Sequence, residues 1–79
     1  MKFHTEIFDE ETEVNAELCA EDNIVSVLFE FDGVSVNLNF RMLVSDETLP
    51  YAKIFAKWEI QNYVVDYELR KEAELLAKQ

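Results

Sequence analysis

Ile24 to Val44 reads IVSVLFEFDGVSVNLNFRMLV, two alternating segments on either side of Asp32-Gly33, and this stretch decides the fold. An Asp-Gly pair suits a type I′ turn, because both central residues need positive φ, which Gly adopts freely and Asp tolerates. The two segments are therefore expected to pair antiparallel. Counting outward from the turn sets Phe31 against Val34, Phe29 against Val36, Val27 against Leu38 and Val25 against Phe40, so one side of the hairpin is wholly apolar. The other side pairs Glu30 with Ser35, Leu28 with Asn37, Ser26 with Asn39 and Ile24 with Arg41, a mixed and wet surface. A sheet with one oily face needs a cover, and the rest of the chain must supply it.

Working back from the hairpin, Thr12 to Ala20 alternates Val14, Ala16 and Leu18 with Glu13, Asn15, Glu17 and Cys19, and reads as a half-buried strand. Phe3 to Phe8 alternates more weakly and is assigned a short strand, with Asp9-Glu10-Glu11 as a polar turn. The connections are short enough for a meander. Working forward, Ser45 to Pro50 carries the marks of a helix start: candidate caps in Ser45, Asp46 and Thr48, acids near the positive end of the dipole, and a proline in the first turn. No Gly or Pro follows to Gln79. The predicted architecture is α+β, an antiparallel β-meander of three to four strands covered by one long C-terminal α-helix. The strands fall near 3–8, 12–20, 24–31 and 34–44, and the helix near 48–77.

The junction Leu49-Pro50-Tyr51-Ala52-Lys53 resembles the strand-to-helix junction of the SecB export chaperones. That resemblance covers five residues of a chain shorter than the SecB fold, and no activity or residue role is carried over from it.

The helix carries two apolar sets. Tyr51, Ile54, Phe55, Trp58, Val65, Leu69, Ala73 and Leu76 project within a stripe about 100° wide, interrupted by Asn62 and Glu72, and are expected to cover the sheet. Ile60, Tyr63, Val64 and Tyr67 project roughly opposite. Either the monomer packs this second set through a bend or a sheet edge, or it is an aromatic-rich partner interface, for which a symmetric homodimer is the default geometry.

Seventy-nine residues, 49% hydrophobic and 13% aromatic, fit one domain, being too apolar for disorder and too short for two cores. One cysteine, Cys19, permits no internal disulfide, and no Cys/His set suits structural zinc. With no secretory pattern after Lys2 and no apolar run near 18 residues, a cytoplasmic location is expected. The net charge of −10 is concentrated in the first part of the chain. Residues 1–33 hold ten acids against Lys2, while residues 34–79 hold seven acids against six bases. Such a field repels phosphate, so direct nucleic-acid or anionic-membrane binding is not expected and a basic protein partner is.

Glu6 to Asp22 contains eight carboxylates and no base. The plain reading is a solvated strand edge that resists aggregation. The functional reading assigns Glu10, Glu11, Glu13, Glu17 and Glu21 to a partner site. Carboxylates two apart on one strand face lie about 6.6 to 6.8 Å from each other, comparable to phosphates along one strand, and Glu11, Glu13 and Glu17 are expected to share such a face. The protein would then be a small acidic interaction module. By analogy with small inhibitors from phages and mobile elements, it would occupy a nucleic-acid-binding protein by phosphate mimicry. The alternative is an assembly subunit that dimerises through its helix, its acids serving solubility.

Asp9 to Glu13 lacks the spacing and glycine of a calcium loop, so no metal site is expected. Acids beside Cys19 disfavour its thiolate, His4 lies near a terminus, and the single glycine leaves no phosphate-cradling loop. Neither enzyme activity nor a cofactor is expected.

Overall fold

The computed structural model describes residues 2–78. Its elements are β1 (Phe3–Asp9), β2 (Val14–Glu21), β3 (Ile24–Phe31), β4 (Val34–Arg41) and α1 (Leu49–Ala77). The strands form one antiparallel sheet in the order β1-β2-β3-β4, and α1 packs on one face of it. The β3–β4 register is the one the turn dictates, running from Phe31 opposite Val34 to Ile24 opposite Arg41. Asp32 and Gly33 sit at φ 53° and 77°, as a type I′ turn requires. Asp22 and Asn23, at φ 52° and 65°, make a second such turn between β2 and β3.

Two strand boundaries differ from the sequence reading by two residues or more. β2 begins at Val14 rather than Thr12, because Asp9 folds the chain into a turn: its carboxylate accepts the Thr12 N–H at 3.1 Å and the Thr12 hydroxyl at 2.5 Å. β4 ends at Arg41 rather than Val44. Beyond it the Met42 N–H still reaches the Asn23 carbonyl at 2.9 Å, after which the chain turns away toward the helix. Thr48 occupies the N-cap position, but its hydroxyl donates backward to the Leu43 carbonyl at 3.0 Å instead of capping α1.

The core lies between the sheet's apolar face and α1. Leu18, Val25, Val27, Ala52, Ala56 and Ile60 are all fully buried, with Ile7, Val14, Ala16, Ala20, Phe29, Val36 and Val64 around them. Here the expected orientation of the helix is corrected. The face against the sheet is Ala52, Ala56, Ile60 and Val64, an i, i+4 series. Trp58 is 54% exposed, and Tyr51, Ile54, Phe55, Val65, Leu69 and Leu76 are exposed with it. The reason is fit. The sheet supplies the bulky side chains, and two alanines let the helix backbone come close enough to fill the space between them; Trp58 and Phe55 on that side would hold the helix off.

Tyr63 and Tyr67 flank the buried face and are half-buried. Tyr63 meets Phe29 and Phe31 edge-on at centroid distances of 5.6 and 6.2 Å, and Tyr67 meets Phe31 edge-on at 5.1 Å. The Tyr67 hydroxyl also donates to the Asp32 carboxylate, joining the helix to the turn of the central hairpin. Ile60, Tyr63, Val64 and Tyr67 therefore belong to the monomer's own packing. The interface expected from them is not on that face.

Past Tyr67 nothing of the sheet lies beneath the helix. Every described residue from Glu68 to Lys78 is exposed, and the molecule measures 51 × 21 × 19 Å along its principal axes.

Candidate functional site

One face of the sheet stays open. Its cross-strand rows follow from the registers: Phe8, Asn15, Glu30 and Ser35; then Glu6, Glu17, Leu28 and Asn37; then His4, Cys19, Ser26 and Asn39. Toward the Asp32-Gly33 end this face forms a depression of about 890 Å³, to which no helix residue contributes. Glu6, Glu13, Glu17, Glu30 and Asp32 line it, together with Asn15, Ser35 and Leu28, and among the described residues no basic one does.

Glu6 and Glu17 are direct cross-strand partners. Like charges placed so oppose strand pairing, which is a local cost in stability at the middle of the depression. The His4 Nε2 lies 3.7 Å from the Glu17 carboxylate.

The five acids assigned from sequence are divided by the fold. Glu13 and Glu17 line the depression. Glu10 and Glu11 are exposed in the β1–β2 turn beside it. Glu21 lies at the far end of β2, 3.9 Å from the Lys2 ammonium. The expected single-face row of Glu11, Glu13 and Glu17 is not formed. Glu11 and Glu13 precede the strand, and Glu13 has φ 56°, which ends any strand periodicity there. Carboxylates are instead brought together across strands, Glu6 from β1, Glu17 from β2 and Glu30 from β3. Sequence reasoning passed over Glu6 and Glu30 because it sought a row along one strand; the β1–β2 and β2–β3 pairings were the signal that places them.

Asp9 stands apart from these acids, buried and bonded within the fold. It is 2% exposed, and besides Thr12 it accepts a hydrogen bond from Gln61 Nε2 at 2.8 Å, tying the β1–β2 turn to the helix. Burial pushes its carboxyl up, but the donors on Thr12 and Gln61, with Lys57 nearby, outweigh burial and hold its pKa below the usual aspartate value. Among the described residues, no buried side-chain nitrogen or oxygen lacks a partner.

His4 and Cys19 are cross-strand neighbours on the open face. Neither borders the depression, and no hydrogen bond joins them among the described residues. No group of three or more His, Cys, Asp or Glu side chains among the described residues is arranged to hold a metal ion. No described helix is long and apolar enough to cross a membrane.

Compared with models of known families, with curated proteins and with solved structures, the chain matches none. What the protein does must be argued from these surfaces.

Proposed function

We propose that the protein is a small acidic interaction module that presents the open face of its sheet to a basic protein partner. The observation that carries this reading is the depression lined by Glu6, Glu13, Glu17, Glu30 and Asp32 with no base among them. A surface rich in Lys and Arg would meet there a field of closely set oxygens with Asn and Ser donors and acceptors between them. A nucleic-acid-binding protein is a natural occupant, because the groups it uses to grip phosphates also grip carboxylates. Phosphate mimicry in this form works through a patch spanning three strands rather than a row along one. The Glu6–Glu17 opposition supports the reading further, since acids serving solubility alone gain nothing from being set face to face.

The experiment is capture of partners from the protein's own cells at low and high salt, with wild type and with the variant Glu6→Gln/Glu13→Gln/Glu17→Gln/Glu30→Gln. A partner held through this face is lost in the variant and released steeply by salt. Partners retained equally by both proteins, with flat salt dependence, would leave the acids a solubility role. Stability sharpens the test. Glu6→Gln should raise the stability of the domain by about 0.2 to 1 kcal/mol in urea unfolding while weakening partner binding.

A further inference from the structure

We infer that α1 is one half of an antiparallel helix pair formed with a second copy of this chain, built on the helix face turned away from the sheet. The surface is distinct from the acidic depression, and the inference does not rest on the reading given to that depression.

Tyr51, Phe55, Trp58, Asn62, Val65, Leu69, Glu72 and Leu76 are all exposed and recur at alternating intervals of four and three residues. That is the heptad spacing of a two-helix seam, sustained over nearly the whole of α1. The residues against the sheet, Ala52, Ala56, Ile60 and Val64, lie on the other side of the helix. A partner helix can therefore dock without disturbing the core.

The size of the surface fits. The chain exposes 5914 Å², whereas a monomer of its mass, 9.3 kDa, typically exposes about 5,000 Å². The excess of about 900 Å² per chain is close to the roughly 800 Å² that each partner buries in a standard stable interface. The radius of gyration tells the same story, 14.3 Å against about 11.6 Å for a compact domain of this length. Both excesses are those of an elongated molecule whose helix has an exposed far end.

Three observations select a second copy lying antiparallel. First, the seam matches its own reverse. Pairing Tyr51 with Leu76, Phe55 with Glu72, Trp58 with Leu69 and Asn62 with Val65 of the partner uses every seam position once, about a two-fold axis between Tyr63 and Val64. The flanking Ile54 and Leu75, also exposed, then meet each other across the seam. The two Asn62 side chains straddle the two-fold about 4.5 Å apart along the helix direction, near enough to bond and fix the register. A parallel pair would instead set Glu72 against Glu72.

Second, the halves of the helix carry opposite charge. Lys53 and Lys57 against Glu59 leave +1 on residues 49–63, while Arg70 and Lys71 against Asp66, Glu68, Glu72 and Glu74 leave −2 on residues 64–77. Antiparallel packing sets each half against its opposite. Third, the end of the helix needs a support. A free segment of about three turns is marginal in water. In the antiparallel pair the overhang of each chain lies on the half that the partner's sheet anchors, whereas a parallel pair would set overhang against overhang.

The test uses the full chain in a Cys19→Ser background. Sedimentation of the wild type at tens of micromolar should give a dimer, and Trp58→Glu should weaken it by about thirtyfold or more, the lower bound for a central tryptophan anchor. Because Trp58 is exposed in the single chain, that variant keeps its fold, and the near-UV signal of Tyr63 and Tyr67 verifies this. Single variants Phe55→Cys and Glu72→Cys, seam partners whose own copies lie about 25 Å apart along the helices in the antiparallel pair, are then oxidised separately and as a mixture. Cross-linked dimer in the mixture alone supports the antiparallel pair. Cross-linked dimer from Glu72→Cys by itself means a parallel pair and overturns the register. A wild-type monomer at every concentration, or a dimer insensitive to Trp58→Glu, overturns the interface.

Discussion

The two faces of α1 invert the usual relation between side-chain size and burial. The face with the larger and more aromatic residues, Phe55, Trp58, Val65 and Leu69, is in water; the face with Ala52 and Ala56 is fully buried. A sheet that already carries Leu18, Val25, Val27 and Phe29 on its covered surface needs closeness from its helix more than bulk. Hydrophobic strength decides which helix faces can be buried, and shape decides which one the monomer buries.

Ile60 and Trp58 stand for the two faces, one fully buried and the other exposed. Ile60→Ala should cost about 2 to 5 kcal/mol, because it opens a cavity in a fully packed site. Trp58→Ala, measured at concentrations low enough to keep the chain monomeric, should change stability by no more than about 0.5 kcal/mol. Urea unfolding of both variants is the measurement, and equal losses would mean that the faces are wrongly assigned. Should Ile60→Ala fail to fold, Ile60→Val, expected to cost about 0.5 to 1.5 kcal/mol, gives the same contrast.

A smaller effect is expected at Asp9, which holds the buried face in place through Gln61. Asp9→Ala removes a carboxylate with three donors and should cost about 1.5 to 3 kcal/mol. The pH dependence carries its own sign. The folded-state pKa of Asp9 lies below the unfolded value, so its contribution is fully present above the unfolded pKa and is lost as pH falls through the folded one. Wild type should therefore lose stability on acidification below about pH 4, and Asp9→Asn should lose less over the same range.

The smallest effect sharpens the boundary between anchored and free helix. The Asp32 carboxylate, aided by some desolvation, raises the Tyr67 phenol above its ordinary value. What that bond contributes is present below the ordinary phenol pKa and is lost as pH rises through the raised one. Ultraviolet titration should show one late-titrating tyrosine that returns toward normal in Asp32→Asn. Tyr67→Phe should increase amide exchange beyond Asp66 while leaving residues 52–64 protected.

The central hairpin was legible residue by residue, because an Asp-Gly turn fixes the register and a strict period of two fixes the faces. The helix was legible in extent for a similar reason, a proline-marked start and no breaker afterward. Its orientation was not. Periodicity weights Trp58 and Phe55 heavily and treats Ala52 and Ala56 as nearly neutral, whereas packing against a bulky sheet weights them the other way. The start of β2 was missed because the polar turn was read as Asp9 to Glu11 only, with Thr12 as the first strand residue. An aspartate three residues ahead of a threonine is also the signature of a side-chain-closed turn, and that reading would have moved the strand to Val14. The acidic patch was legible in composition but not in geometry, since it is assembled across three strands.

The order of the sheet sets a timetable for folding. Each strand pairs with its neighbour in the chain across a turn of two to four residues, so every ladder can form as soon as its own short segment exists. Local pairing of this kind makes for fast folding. The bond between Asp9 and Gln61 is different, because it joins residues 52 apart and cannot be made until the helix has been added and laid back over β1 and β2. Closure of the domain is thus expected to be its latest step, and Gln61→Ala should speed unfolding while leaving the folding rate nearly unchanged.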